Sequence, residues 1–129
     1  MSGNIFNQYA PSASASELVA EKEPYQAVVR GKERQIKLLM VGRKGEVIGM
    51  PSYAYYMDLV CESHQNISLI FTQNVYLIQG RNLLQLLPLL QDDRARSLRC
   101  FNGNHYSEPA PDDPFIASIE RTSLQDAVS

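Results

Sequence analysis

The feature that most constrains this 129-residue chain is a change of hydrophobic period between Asn74 and Leu90. Val75 to Ile78 is a short apolar run rich in β-branched and aromatic side chains, the pattern of a buried strand. From Leu83 the spacing changes, and Leu83, Leu84, Leu86, Leu87 and Leu90 fall on one broad helical stripe. The pattern predicts a strand, a corner at Gly80 taken with a positive φ, and a helix over 82–91. Asn82 is the expected N-cap, its side-chain oxygen accepting an orphan backbone N–H. Pro88 removes one backbone hydrogen bond and should kink the helix or keep it short. A helix whose inner side is almost entirely leucine has to lie on a sheet or on another subunit.

The rest of the chain is strand-like. Tyr25 to Arg30 predicts a first irregular strand that Gly31 ends. Gln35 to Val41 alternates Ile36, Leu38 and Met40 against Lys37 and Leu39, and the turn Gly42-Arg43-Lys44-Gly45 leads into a partner strand at Glu46 to Met50. After Pro51, alternation places Tyr53, Tyr55, Met57, Leu59 and Cys61 together on a core-facing side. Ile67, Leu69 and Phe71 then alternate with Ser68, Ile70 and Thr72, completing a second hairpin. A strand is expected at Leu98 to Phe101, and Phe115, Ile116 and Ile119 are expected to add a last strand to an open edge, at home or on a neighbour. The predicted fold is mainly β: a small antiparallel barrel or curved sheet with one packed helix.

Three stretches follow from composition. Residues 1–23 contain Pro-Ser-Ala-Ser-Ala-Ser and form a flexible N-terminal arm, with a short helix expected at Ser16 to Glu23. Residues 24–106 are the β-rich domain that holds helix 82–91. Residues 107–129 form an extended C-terminal segment, opened by three prolines between Ser107 and Pro114. A net charge of -2 gives no global attraction to nucleic acid or acidic membranes, so any basic site has to be local. No apolar run approaches the roughly 20 residues that cross a bilayer, and the start of the chain lacks the pattern of a signal peptide. A soluble cytoplasmic protein with no membrane contact is expected.

Two pieces, Pro51-Ser52-Tyr53-Ala54-Tyr55 and Val75 to Leu83, at this separation, resemble a pattern in small uncharacterised bacterial proteins that pair a strand meander with a leucine-rich helix. The resemblance spans roughly residues 34–101 and implies a fold, not a chemistry. The chain is also faintly similar to the Sm-like family, whose second motif puts a strand before a glycine with polar neighbours. It departs from that family by following the glycine with a helix, and no Sm binding residue is carried over.

Candidate sites come in three kinds. Cys61-x-x-His64 and Cys100-x-x-x-x-His105 contain all four soft ligands of the chain, the number that a tetrahedral zinc needs, set against a buried thiol and solvated histidines. Arg30, Lys32, Arg34 and Lys37 precede Arg43 and Lys44, and Arg94, Arg96 and Arg99 follow the helix, with tyrosines as stacking faces. Of these, Lys37, Arg43, Lys44, Arg94, Arg96 and Arg99 are the residues for a nucleic-acid interface. The six leucines between Leu83 and Leu90 exceed one narrow stripe, which leaves Leu84 or Leu89 for a partner, with Phe6 and Phe115 on apolar-tipped tails. No phosphate loop or dinucleotide fingerprint occurs, and the adjacent aspartates Asp92-Asp93 and Asp112-Asp113 have turn composition. The leading reading is a non-enzymatic interaction or assembly module without cofactor, a homo-oligomer or part of a larger assembly, acting through the leucine helix and the sheet edges. The alternative is a small nucleic-acid-binding protein.

Overall fold

The computed structural model describes residues 22–124. Phe6, the rest of residues 1–21 and most of the helix expected at Ser16 to Glu23 lie outside the described residues; Glu23 itself is in a strand. The described chain is mainly β. Its strands are β1 (Glu23–Pro24), β2 (Val28–Arg30), β3 (Leu39–Val41), β4 (Val47–Gly49), β5 (Tyr56–Ser63), β6 (Asn66–Phe71), β7 (Asn74–Arg81), β8 (Ala95–Arg99), β9 (Tyr106–Ser107) and β10 (Phe115–Ser123).

Two four-stranded sheets hold most of these strands. One is antiparallel, in the order β10-β7-β6-β5, and the other runs β2-β8-β3-β4. The second is mixed, because β3 and β8 pair in parallel while the outer pairs are antiparallel. A short parallel pair joins β1 to β9. The β6-β7 hairpin follows its sequence pattern closely: Ile67, Leu69, Phe71, Tyr76 and Ile78 are buried on one face, and directly paired residues share that face. Both sheets contribute to one core, since these residues cluster with Leu38, Met40 and Leu98 of the mixed sheet and with Leu83, Leu86 and Leu90.

Pro88 shapes the leucine run. A 3₁₀ turn at Leu83–Leu86 passes into helix α1 (Leu87–Gln91), with Pro88 in the first turn, where a missing N–H leaves no bond unmade. The corner lies elsewhere than the sequence suggests. Strand β7 runs through Gly80 to Arg81, and the positive φ, 56°, belongs to Asn82. Gly80 is required for a different reason: a Cβ there would collide with the Phe115 carbonyl oxygen, because the paired strand β10 comes unusually close beside a register shift between Ile116 and Ser118. Asn82 makes no capping bond. Its amide donates to the carbonyls of Pro111 (2.8 Å) and Asp113 (3.0 Å), and Gln85 donates to Asp112 (2.7 Å), so these side chains clip the proline-rich stretch to the helix.

Alternation fails in two further places. Tyr53–Tyr55 forms a 3₁₀ turn and the β5-β6 register shifts between Tyr56 and Asp58, so Tyr53 is buried and Leu59 half-buried while Tyr55, Met57 and Cys61 are exposed. Ile36 was expected inside with Leu38 and Met40. It is 78% exposed, because residues 36–38 contribute only a bridge from Lys37 to Ser52 and β3 begins at Leu39. The last strand pairs at home, with β7.

Candidate functional site

The outer face of the mixed sheet is a shallow groove. Val29 and Leu39 both pair with Ser97 of the central strand β8, and Val41 pairs with Arg99 and Val47, so these residues lie in two rows on one face. Two adjoining cavities of about 730 and 430 Å3 occupy that face and share Leu39 and Arg99. The larger extends over Val29, Ile36, Met50 and Ser97, and the smaller reaches the Gly42–Gly45 turn, Asn102, His105 and Tyr106. Ile36, Val47 and Met50 are 78%, 63% and 54% exposed, a concentration of aliphatic surface that water does not favour. Ser97 is the one buried polar residue among those described, and it lines this floor.

Arg34, Lys37 and Arg96 line the larger cavity, Arg43 and Lys44 the smaller, and Arg99 both, and neither lining includes an aspartate or glutamate. Among the described residues the one ion pair is His105 with Glu23, at 3.5 Å, so none of these six cations is neutralised by a partner within 4 Å. The nearest acid of the turn, Glu46, is folded back onto its own hairpin, where its carboxylate accepts the Lys44 backbone N–H at 2.9 Å. Arg99 Nη1 donates to the Tyr106 hydroxyl at 3.2 Å, and its Nε is buried with no partner among the described residues.

Of the six basic residues that the sequence marks, Lys37, Arg43, Lys44, Arg96 and Arg99 thus meet in one groove. Arg94 does not: its Nε donates to the Gly31 carbonyl at 3.3 Å, tying helix α1's exit to the end of β2. The tyrosines are not presented as a stacking surface. Tyr25 donates to the Arg99 carbonyl at 2.5 Å and accepts from the Ile116 N–H at 3.1 Å, and Tyr53 donates to the Ala95 carbonyl at 2.6 Å. Burial raises the pKa of both phenols, and burial first, then the neighbouring Asp58 and Asp93, pushes Tyr56 up to about 12. Tyr25 and Tyr53 serve as neutral donors inside the fold. Tyr55 is the exposed exception, beyond Met50 and Lys37.

The four soft ligands do not converge. Cys61 is exposed on the β5 edge and His64 lies in the adjoining turn, whereas Cys100 is buried at the end of β8 and His105 lies on the loop beyond it. Among the described residues no group of three or more His, Cys, Asp or Glu is placed to hold a metal ion. Burial, with a smaller contribution from Glu46, pushes the Cys100 thiol up to about 11 against the opposing effects of the Ile119 backbone bond and Arg43, which leaves it a neutral core group.

Of the proposed contact leucines, Leu84 is 45% exposed and Leu89 is half-buried, lining a cavity with Tyr25, Val28 and Pro114. Phe115 is engaged at home, 5.0 Å from the Phe101 ring and 6.0 Å from Tyr25, with the Arg81 guanidinium 4.5 Å above it. Sequence reasoning missed Val47, Met50 and Ser97 and placed Ile36 inside. The available signal was Ser97-x-Arg99 in a short strand, a period-2 pair that leaves one polar face opposite Leu98. No helix of the described residues is long and apolar enough to cross a membrane. Compared with known proteins, the chain matches no protein-family model, no curated protein and no solved structure.

Proposed function

We propose that this chain is a non-enzymatic interaction module that holds an acidic segment of a protein partner across the outer face of its mixed sheet. The observation that carries the reading is the aliphatic floor of Ile36, Val47 and Met50 accompanied by six cations without ion-pair partners among the described residues. Apolar side chains of the partner gain by burial on the floor, while its carboxylates meet the rim and steer the encounter. A second copy is a poor occupant, since placing one groove against another would set like charges face to face. The contact therefore shifts from the leucine helix, which spends Leu83, Leu86 and Leu90 on its own core.

A second reading uses the same cations for single-stranded nucleic acid. The larger cavity is lined by no aromatic side chain, while base stacking calls for exposed aromatic faces. One experiment separates the two. Labelled peptides alternating aliphatic residues with glutamate, matched peptides with lysine, and labelled RNA and DNA are titrated at two salt concentrations. The acidic peptides should bind in a salt-sensitive way, and Ile36→Glu with Met50→Glu should weaken them by roughly tenfold or more, because two carboxylates replace apolar floor and repel the acidic peptide. Binding of RNA or DNA without the peptides would replace the first reading by the second, and retention of neither would remove both.

A further inference from the structure

We infer that Ser97 and Arg99, adjacent on the outward face of strand β8, form the carboxylate-recognition subsite of this groove and take one Asp or Glu side chain of the bound segment. The inference rests on the acidic-partner reading and names the point at which that partner is specified. Three features of the pair set it apart from the rim cations.

The first is position. Strand β8 lies between β2 and β3, and Ser97 pairs with Val29 on one side and Leu39 on the other. The two residues therefore sit at the middle of the floor, where a docked chain excludes water and a charge-assisted bond is strongest. Arg34, Lys37, Arg96, Arg43 and Lys44 are exposed at the margins, where solvent screens them. The second is the burial of Ser97, 3% exposed in a row otherwise made by Val29 and Leu39. A hydroxyl in that row supplies a donor beside the guanidinium.

The third is the state of the guanidinium. Arg99 Nη1 is taken by the Tyr106 hydroxyl, which leaves the edge formed by Nε and Nη2, the edge that receives both oxygens of a carboxylate side-on. Nε is at present buried with no partner among the described residues, so it has lost water and gained nothing. Turning the guanidinium outward onto a carboxylate exchanges that unsatisfied donor for two charge-assisted bonds. Tyr106, anchored by the β1-β9 pair and 5.5 Å from the Tyr25 ring, limits how far the side chain can swing. Rim cations thus give attraction without geometry, and Arg99 gives geometry.

A double-mutant cycle tests this. The protein is taken as wild type and as Arg99→Gln, and each is titrated with the acidic peptides and with versions in which one glutamate at a time is replaced by glutamine. For one glutamate position, either change alone should weaken binding about tenfold to a hundredfold, and both together little more than one. Ser97→Ala should show a smaller coupling to the same position, and Arg99→Lys, which keeps the charge and loses the fork, should recover only part of the loss. If Arg99→Gln melts early, the cycle is run on Arg99→Lys and Ser97→Ala. Losses that add at every glutamate position overturn the subsite while leaving the acidic-partner reading standing. Failure of every acidic peptide to bind the wild type overturns both.

Discussion

Replacing Tyr25 by phenylalanine should cost this fold more than any other loss of a single oxygen. The Tyr25 hydroxyl donates to the carbonyl of Arg99 at the end of β8 (2.5 Å) and accepts from the N–H of Ile116 in β10 (3.1 Å), so one phenol ties the mixed sheet to the antiparallel one. The ring itself packs against Phe101, Tyr106 and Phe115 at 5.2, 5.5 and 6.0 Å, contacts that Tyr25→Phe keeps. What is lost is two net hydrogen bonds at about 0.5–1.5 kcal/mol each, together with a penalty of about 1–3 kcal/mol for the stranded N–H of fully buried Ile116. Since the penalty overlaps the lost bond, the sum is about 2–4 kcal/mol. For a domain of this size that lowers Tm by roughly 10 °C. Urea unfolding supplies the assay, with the midpoint falling at constant slope. Tyr53→Phe is the internal comparison, because it removes one bond, to the Ala95 carbonyl, and should cost about 1 kcal/mol. A loss below about 0.5 kcal/mol for Tyr25→Phe, or one equal to that of Tyr53→Phe, would refute the cross-sheet role.

Two other perturbations follow from the same geometry. Gly80→Ala would drive a Cβ into the backbone of Phe115 and should cost more than about 3 kcal/mol, with β10 amides losing hydrogen-exchange protection before those of β6; unchanged protection would remove the close-approach account. Of the two free thiols, Cys61 should react with a thiol reagent in the folded protein at pH 8, while Cys100 should react only on unfolding; equal rates would contradict its burial. The alkaline side has a definite sign. Folding raises Cys100 from an ordinary 9.0 to about 11 and Tyr56 from 10.0 to about 12. The folded state therefore holds these protons more tightly. Stability contributed by the neutral forms is complete below pH 9 and falls as pH rises from 9 towards 12. A melting temperature that held steady across that window would exclude both shifts.

Much of the β6-β7 hairpin was legible residue by residue, and the leucine segment was legible as a short helix with an apolar inner side. Period 2 in Ile67, Leu69 and Phe71 and period 3.6 after Leu83 each describe which side of a local element avoids water, and that preference survives any arrangement of neighbours. Pro88 likewise acts through its own ring and missing N–H, so the shortness of the helix was readable, though not that Pro88 would stand at its start. The cations were visible too, as residue types in two clusters separated by fifty positions.

What tertiary structure alone decided was which of them share a surface. Lys37, Arg43 and Lys44 meet Arg96 and Arg99 because β3 pairs in parallel with β8 and brings the two clusters onto one face, and pairing partners are set by the packing of the whole core. The same non-local cause exposes Ile36, whose stretch stops short of the ladder, and gives Gly80 its reason, which lies in the backbone of Phe115 thirty-five positions away. Local patterns encode how each segment meets water. They do not encode which distant segment arrives beside it, and at this groove that arrival makes the site.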